Sequence, residues 1–201
     1  MTNAPEKINV LLIGTGGREH ALAWKLRQSP RLGTLWVQPD ANAGILALGT
    51  PCEAPLAARE RFFLRSWLDK NDVRLVVVGP EGPLSEGIVD ELAAPGRRIF
   101  GPVRDAARLE SDKAFAKGVM RQANVPTADG RSFTNLEQAR AFVEARDVPL
   151  VVKATGLCAG KGVVVCDDRD GALAALDRIM KAREFGDAGA AVVVEERLVG
   201  Q

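Results

Sequence analysis

The chain has 201 residues, 46% of them apolar and 26% charged, which is enough for one large domain or a domain with a smaller lobe. Twenty-seven Lys and Arg against twenty-six Asp and Glu leave a net charge of +1, so nucleic acid is a poor candidate partner and any phosphate must be bound locally. The opening Met1-Thr-Asn-Ala-Pro-Glu-Lys7 lacks the apolar core of a secretion signal, and no apolar run reaches the roughly 18 residues of a membrane span, so the expected location is the cytoplasm.

Apolar runs alternate with stretches of helical period. Ile8 to Ile13 reads as a strand, Glu19 to Gln28 as a helix, Thr34 to Val37 as a strand and Leu56 to Asp69 as a helix. Arg74 to Gly79 then reads as a buried strand, Glu86 to Ala93 as a helix and Arg98 to Phe100 as a short strand. Four strands separated by helices predict an open parallel sheet covered on both faces, closing near Pro102. The rhythm then changes. Helices are expected at Asp112 to Gln122 and Leu136 to Arg146, with a turn at Val125-Pro126 between them, followed by a strand from Leu150 to Lys153. A glycine-rich loop leads directly to a second strand, Val163 to Cys166, then to a helix from Gly171 to Lys181 and a last strand from Ala191 to Glu195. This half predicts a small α+β lobe with an antiparallel hairpin.

Two glycine clusters carry the functional signal. The first, Gly14-Thr-Gly-Gly17, stands between a strand and a helix, where backbone N–H groups and the helix N-terminus favour an anion. A dinucleotide fingerprint would need a third glycine where Glu19 stands, so NAD or FAD is a weak reading and a plain tight turn competes with it. His20 reads equally as a ligand contact or a solvent-facing residue of the first helical turn. Asp40-Ala-Asn-Ala-Gly44 and Gly79-Pro-Glu-Gly-Pro83 follow the next two strands, so three loops converge on one sheet edge.

The second cluster, Gly156-Leu-Cys-Ala-Gly-Lys-Gly162, is not a P-loop. One residue is missing between its glycines, Gly162 stands where Ser or Thr would bind magnesium, and the β-branched Val163-Val-Val165 that follows suits a strand. It reads instead as a loop between strands whose N–H groups and Lys161 can fold over a triphosphate. Lys153 ends an apolar strand, where a charge is costly unless it is bound to an anion or reaches solvent. Glu195 and Glu196 end another strand, either as nucleotide contacts or as a solvated edge. Cys52, Cys158 and Cys166 form no CxxC pair, and His20 is the only histidine, so all three read as reduced thiols without zinc.

Together these blocks resemble the ATP-grasp enzymes and, within them, the phosphoribosylamine–glycine ligase (glycinamide ribonucleotide synthetase) family of purine biosynthesis. The resemblance rests on Ile13 to Lys25, Val78 to Leu84, Phe100-Gly-Pro102, Leu109 to Lys117, Val152 to Val163, Phe185 to Gly189 and Glu195 to Gly200. It implies a Rossmann-like substrate lobe over residues 1–103, followed over 104–201 by linker helices and the small ATP-grasp lobe. Gly16, Gly17, Arg18, Asn42 and Glu81 are then the candidates for phosphoribosylamine contact. Lys113 and Lys153 would meet phosphates or adenine, and Gly156, Gly160, Lys161 and Gly162 would cover the phosphates. Glu195, Glu196 and the Leu198 backbone would grip adenine and ribose.

The implied chemistry is MgATP-dependent formation of glycyl phosphate and its capture by the amine. The departures are small: Asp40 stands ahead of the Ala-Asn-Ala-Gly stretch, and Gly82 and Cys158 each replace a common Ala. Family members continue for about another domain. The catalytic and magnesium-binding residues are therefore expected beyond Gln201, and the chain is expected to be inactive by itself unless another polypeptide supplies that region. A nucleotide-binding module without turnover and a different ATP-grasp carboxylate–amine ligase are the alternatives, with a dehydrogenase more distant.

Overall fold

The computed structural model describes residues 6–158 and 160–200. The chain forms two compact units, Met1–Ala107 and Arg108–Gln201.

In the first unit β1 (Ile8–Ile13), β2 (Leu32–Val37), β3 (Thr50–Pro51), β4 (Val73–Val78) and β5 (Arg98–Phe100) make a parallel sheet in the order β3-β2-β1-β4-β5. The alternation of β1 between two apolar faces explains the helices on both sides. Val10 and Leu12 pack with Ala23 of α1 (Gly17–Arg27) and Ile45 of α2 (Ala43–Leu46). Leu11 and Ile13 pack with Leu64 and Leu68 of α3 (Arg61–Lys70) and with Ile88 and Leu92 of α5 (Ile88–Leu92). β3 is the one strand of this unit missing from the sequence expectations; two residues long and ending in Pro51, it fits only a sheet edge. The helix expected from Glu86 to Ala93 is instead α4 (Glu81–Ser85) and α5, parted by Gly87 at φ +86°.

The sheet order reverses direction between β1 and β4. At such a switch point the loops leaving the strand C-termini part to opposite faces and leave a crevice. The loops after β1 and β4 are the first glycine cluster and the Gly79-Pro-Glu81 segment, which the fold therefore places side by side.

α6 (Arg104–Ser111), a helix absent from the sequence expectations, carries the boundary between the units, and α7 (Lys113–Gln122) follows it. Its sheet is antiparallel throughout, in the order β6-β9-β7-β8, from β6 (Gly130–Phe133), β7 (Leu150–Ala154), β8 (Val163–Cys166) and β9 (Val192–Glu196). β6 lacks a β-branched run and owes its strand conformation to pairing with β9. One sheet face, with Leu150, Val152, Ala154, Val192 and Val194, is buried against α8 (Leu136–Glu144) and α9 (Arg169–Leu176). The expected helix to Lys181 ends as α9 at Leu176 and continues as a π-helical stretch, Asp177–Lys181.

Candidate functional site

In the first unit the glycine cluster is held by side chains from its own surroundings. Glu19, one turn into α1, is 3% exposed and folds back beneath the loop, where its Oε2 accepts from the Gly16 N–H at 2.8 Å. Its stem fills the space that side chains at positions 14 and 79 would need. A Cβ on Gly14, whose φ is +124°, would lie 2.5 Å from Glu19 Cγ, and one on Gly79 would lie 2.1 Å from Glu19 Oε1. The Glu that replaces the third fingerprint glycine is thus accommodated by glycines elsewhere, and its charge points into the protein.

Asn42 caps α2 by accepting from the Ile45 N–H at 3.1 Å, and its amide donates to the Thr15 and Gly16 carbonyls at 2.8 and 3.2 Å. Gln38 accepts from the Gly14 N–H at 3.0 Å. Across the crevice Arg18 Nη2 lies 3.5 Å from Glu81 Oε2, both side chains open to solvent. The sequence candidates Gly16, Gly17, Arg18, Asn42 and Glu81 therefore share one sheet edge, with Asn42 tying two of its loops together. His20 is exposed, and its ring lies over Gly44, where a Cβ would be 2.6 Å from Cε1. The first-turn N–H groups of Gly17 and Arg18, at the start of α1, have no intrahelical acceptor, an arrangement that favours negative charge.

In the second unit the strand period of two decides the chemistry. Val152, Ala154, Val192 and Val194 face the core, so Lys153, Val193 and Glu195 must face the other way. Lys153 is paired with Val193, and Glu195 is its diagonal neighbour two residues along β9, within reach of a long side chain. α7 lies over this face. The result is a cleft of about 280 Å³ lined by Leu109, Lys113, Met120, Lys153, Val193 and Glu195, among others. Such a volume is just below the range of about 300–1,000 Å³ usual for small-molecule sites.

Glu195, 4% exposed, receives two ammonium groups: Lys117 Nζ lies 2.7 Å from Oε2, and Lys153 Nζ contacts Oε1. Lys117 donates further to Thr127 Oγ1 at 2.8 Å and to the Ala128 carbonyl at 2.6 Å. Lys113 Nζ donates to the Gly156 carbonyl at 3.0 Å while its backbone N–H donates to the Thr155 carbonyl at 2.9 Å, so the N-terminus of α7 is fastened to the start of the second glycine loop. Three lysines thus line a cleft with one buried carboxylate, which contacts two of them, and with Glu110 on the exposed rim. Burial pushes the Lys153 ammonium below its ordinary pKa, and repulsion from Lys117 and Lys113 pushes the same way. Burial also lowers Lys117, reinforced by Arg121 and opposed by Asp129 and Glu196. An anion in the cleft would reverse these shifts.

The glycine loop packs closely at its start. A Cβ on Gly156 would lie 2.7 Å from Ala188 Cα, which ties the loop to the Phe-Gly-Asp-Ala-Gly segment singled out in the sequence. Gly162 packs on the half-buried Cys158, and Gly160 turns the chain at φ +79°. Ala159 lies outside the described residues. Gly160 and Lys161 are exposed and stand apart from the cleft lining, as do Glu196, whose carboxylate accepts from the Asp129 N–H at 2.8 Å, and the exposed Leu198. Lys117 is the residue that the sequence reading did not select. Its position four residues after Lys113 on a helix, hence on the same face, was the available signal.

A parallel nucleotide-fold unit followed by an antiparallel lobe with a lysine-lined cleft and a glycine hairpin loop defines the ATP-grasp class of proteins. Residues 8–110 match the family described as phosphoribosylglycinamide synthetase, N domain, and residues 111–201 match phosphoribosylglycinamide synthetase, ATP-grasp (A) domain. The phosphoribosylamine–glycine ligase of Rhodopirellula baltica is 46% identical over 200 residues, covering 96% of this chain and 45% of that protein. The trifunctional purine biosynthetic protein adenosine-3 of Gallus gallus is 47% identical over 193 residues, covering 96% of this chain and 19% of that one. The crystal structure of phosphoribosylamine–glycine ligase from Thermotoga maritima superposes with a TM-score of 0.76 at 27% identity, covering 96% of this chain and 45% of that chain. The biotin carboxylase domain of Hydrogenobacter thermophilus 2-oxoglutarate carboxylase shares the fold, with a TM-score of 0.72 at 15% identity over 96% of this chain and 45% of that one. The chain belongs to the phosphoribosylamine–glycine ligase family, a family of ATP-dependent ligases, and spans about 45% of the length of the single-function relatives it matches.

Proposed function

We propose that this chain provides the amine-substrate lobe and the small nucleotide lobe of an enzyme that joins glycine to 5-phosphoribosylamine, giving glycinamide ribonucleotide, ADP and phosphate through glycyl phosphate. The observation that carries the reading is the excess of ammonium groups in the second unit's cleft: Lys113, Lys117 and Lys153 line it with one buried carboxylate, Glu195, which pairs with Lys117 and Lys153, and one at its exposed rim, Glu110. A polyphosphate supplies the missing negative charge. The apolar lining from Leu109, Met120 and Val193 suits the adenine, and the exposed Lys161 with its glycine hairpin can close over the phosphates.

In the first unit the N–H groups of Gly17 and Arg18 at the start of α1 suit the 5-phosphate. Glu81, beside Arg18, is placed to accept from ribose hydroxyls. These residues bind and orient. Electrostatic clamping of the transferring phosphoryl group and exclusion of water from the acyl phosphate are the remaining requirements of the reaction. Magnesium enters this reading with the triphosphate, and no described residue is assigned to it.

Calorimetric titration with ADP and ATP tests the nucleotide part. Binding is expected, with Lys153→Met weakening it about tenfold or more through loss of a charge-assisted contact. A folded protein without measurable adenine-nucleotide affinity, or one that binds NAD instead, would overturn the reading. Since the chain spans under half of the relatives' length, turnover is tested separately. Glycine-dependent phosphate release is expected only when a polypeptide corresponding to the remaining length of those relatives is added. Glycinamide ribonucleotide formed by the 201-residue chain alone would refute the expectation of inactivity in isolation.

A further inference from the structure

The two lysines on Glu195 are not equivalent. Lys117 donates hydrogen bonds to Thr127 Oγ1 and the Ala128 carbonyl, its Nζ lies 2.7 Å from Glu195 Oε2, and its side chain is only 10% exposed. With two of its three donors committed to the segment after α7 and its charge paired in a buried position, Lys117 is held in place. Lys153 is 28% exposed, lines the same cleft, and Glu195 is its one ionic partner among the described residues. Glu195 itself is 5% exposed at its side chain and has little access to water that would replace a lost partner.

We propose that Lys117 is a positioning residue of the nucleotide site, holding the Glu195 carboxylate so that Lys153 can leave it for an arriving polyphosphate. The proposal rests on the nucleotide reading given above. If Lys153 were the sole partner of Glu195, turning it toward a phosphate would strand a buried carboxylate, and the attraction to the phosphate would be offset by that loss. With Lys117 in place Glu195 keeps an ion pair throughout, and Lys153 exchanges one anion for another. The charges around Lys117 fit this division of labour. Arg121, on its own helix, is opposed by Asp129 and Glu196, which favour the charged form of Lys117. Lys113 and Lys117 both repel Lys153, which gives it reason to meet a further anion. Glu195 accordingly acts as a parking place for Lys153 in the nucleotide-free protein.

A plain structural tie between α7 and β9 would use the same contacts, so the test separates the two roles by ligand. Affinities for ADP and for adenosine are measured by calorimetry on the wild-type protein and on Lys117→Met, Lys117→Arg and the double variant Lys117→Met/Glu195→Gln. Lys117→Met is expected to weaken ADP about tenfold, within the ordinary range of couplings between linked equilibria, and to change adenosine by less than about twofold. Lys117→Arg should recover part of the ADP affinity. The double variant should recover most of it, because no buried charge then holds Lys153.

Equal losses for ADP and adenosine, an unchanged ADP affinity, or no recovery in the double variant would each overturn the proposal. Should Lys117→Met fail to fold, Glu195→Gln alone decides the matter: ADP affinity rises if Lys153 is being released and stays level or falls if the proposal is wrong. A folded wild-type protein that binds neither ligand overturns the nucleotide reading and this inference with it. Adenosine and ADP binding with the wrong pattern among variants overturns the inference alone.

Discussion

The two glycine clusters look alike in the sequence and are built on opposite principles. In the first, the turn of Gly14 to Gly17 is fixed from below by a buried carboxylate, Glu19, and from the side by Asn42 and Gln38. Its remaining donors are backbone N–H groups at the start of α1. In the second, the fastenings to other elements among the described residues are at the ends of the loop, at Gly156 by Ala188 and Lys113 and at Gly162 by pairing with Ala154, and the charge that would meet a ligand comes from lysine side chains on other elements. The first arrangement presents a rigid, weakly charged cradle. The second presents strong charge beside a movable cover. A phosphate that is only held needs the former, whereas one that is transferred needs its developing charge met as it moves.

Crowding beneath the first loop gives the largest test of that difference. Gly79→Ala places a Cβ against Glu19 and is expected to destabilise the first unit by about 2–3 kcal/mol, as for other overpacked sites, measured by urea denaturation. Gly79→Ala combined with Glu19→Ala removes the clash and should recover part of that loss. Equal destabilisation in the single and double variants would show that Glu19 is not what sets the glycine requirement.

The second cluster should answer to pH where the first does not. Lys153 has a lowered pKa in the ligand-free protein, and a bound phosphate favours its charged form, so binding takes up a proton once the pH exceeds the lowered value. ADP affinity is therefore expected to be constant below that pKa and to fall as the pH rises through it, the fall starting below 10.5 and amounting to about tenfold for one lost charged contact. Calorimetric titrations across the alkaline range would contradict this by showing no decline before 10.5.

Smaller effects separate the supports. Asn42→Ala removes a helix cap and the link between two loops of the first unit, and is expected to cost about 1–2 kcal/mol without changing ADP affinity. Gly118→Ala, in the middle of α7 with open space around the added Cβ, should stabilise the second unit by about 0.5–1 kcal/mol. Thermal melts of both variants check these signs, and a destabilising Gly118→Ala would mean that α7 is not held in the helical conformation described.

Much of the architecture is legible along the chain. Ile8–Ile13, Arg98–Phe100 and Val163–Cys166 stand where their apolar runs predict. Burial follows the apolar run in Ile8–Ile13, whose last four residues are buried, whereas Arg98–Phe100 has no buried residue and Val163–Cys166 has only Cys166. The reading failed where conformation depends on a neighbour. β6 becomes a strand by pairing with β9, β3 by lying at an edge, and the helix after β4 breaks at Gly87, whose left-handed φ is invisible to periodicity.

The sites divide in the same way. The sequence by itself determined that two glycine loops and a lysine at a strand end exist, because each is a local matter of residue type and spacing. It also put Lys153 and Glu195 at strand ends, but that both lie on the sheet face away from the core follows from the strand period only once the structure shows Val152, Val192 and Val194 facing the core. Only the tertiary structure decided what these residues meet. The buried position of Glu19 depends on Gly79, sixty residues away in sequence, and the ionic bridge of Lys117 and Lys153 through Glu195 joins a helix and two strands. Desolvation makes those charges consequential, and it arises only when elements distant along the chain close over them.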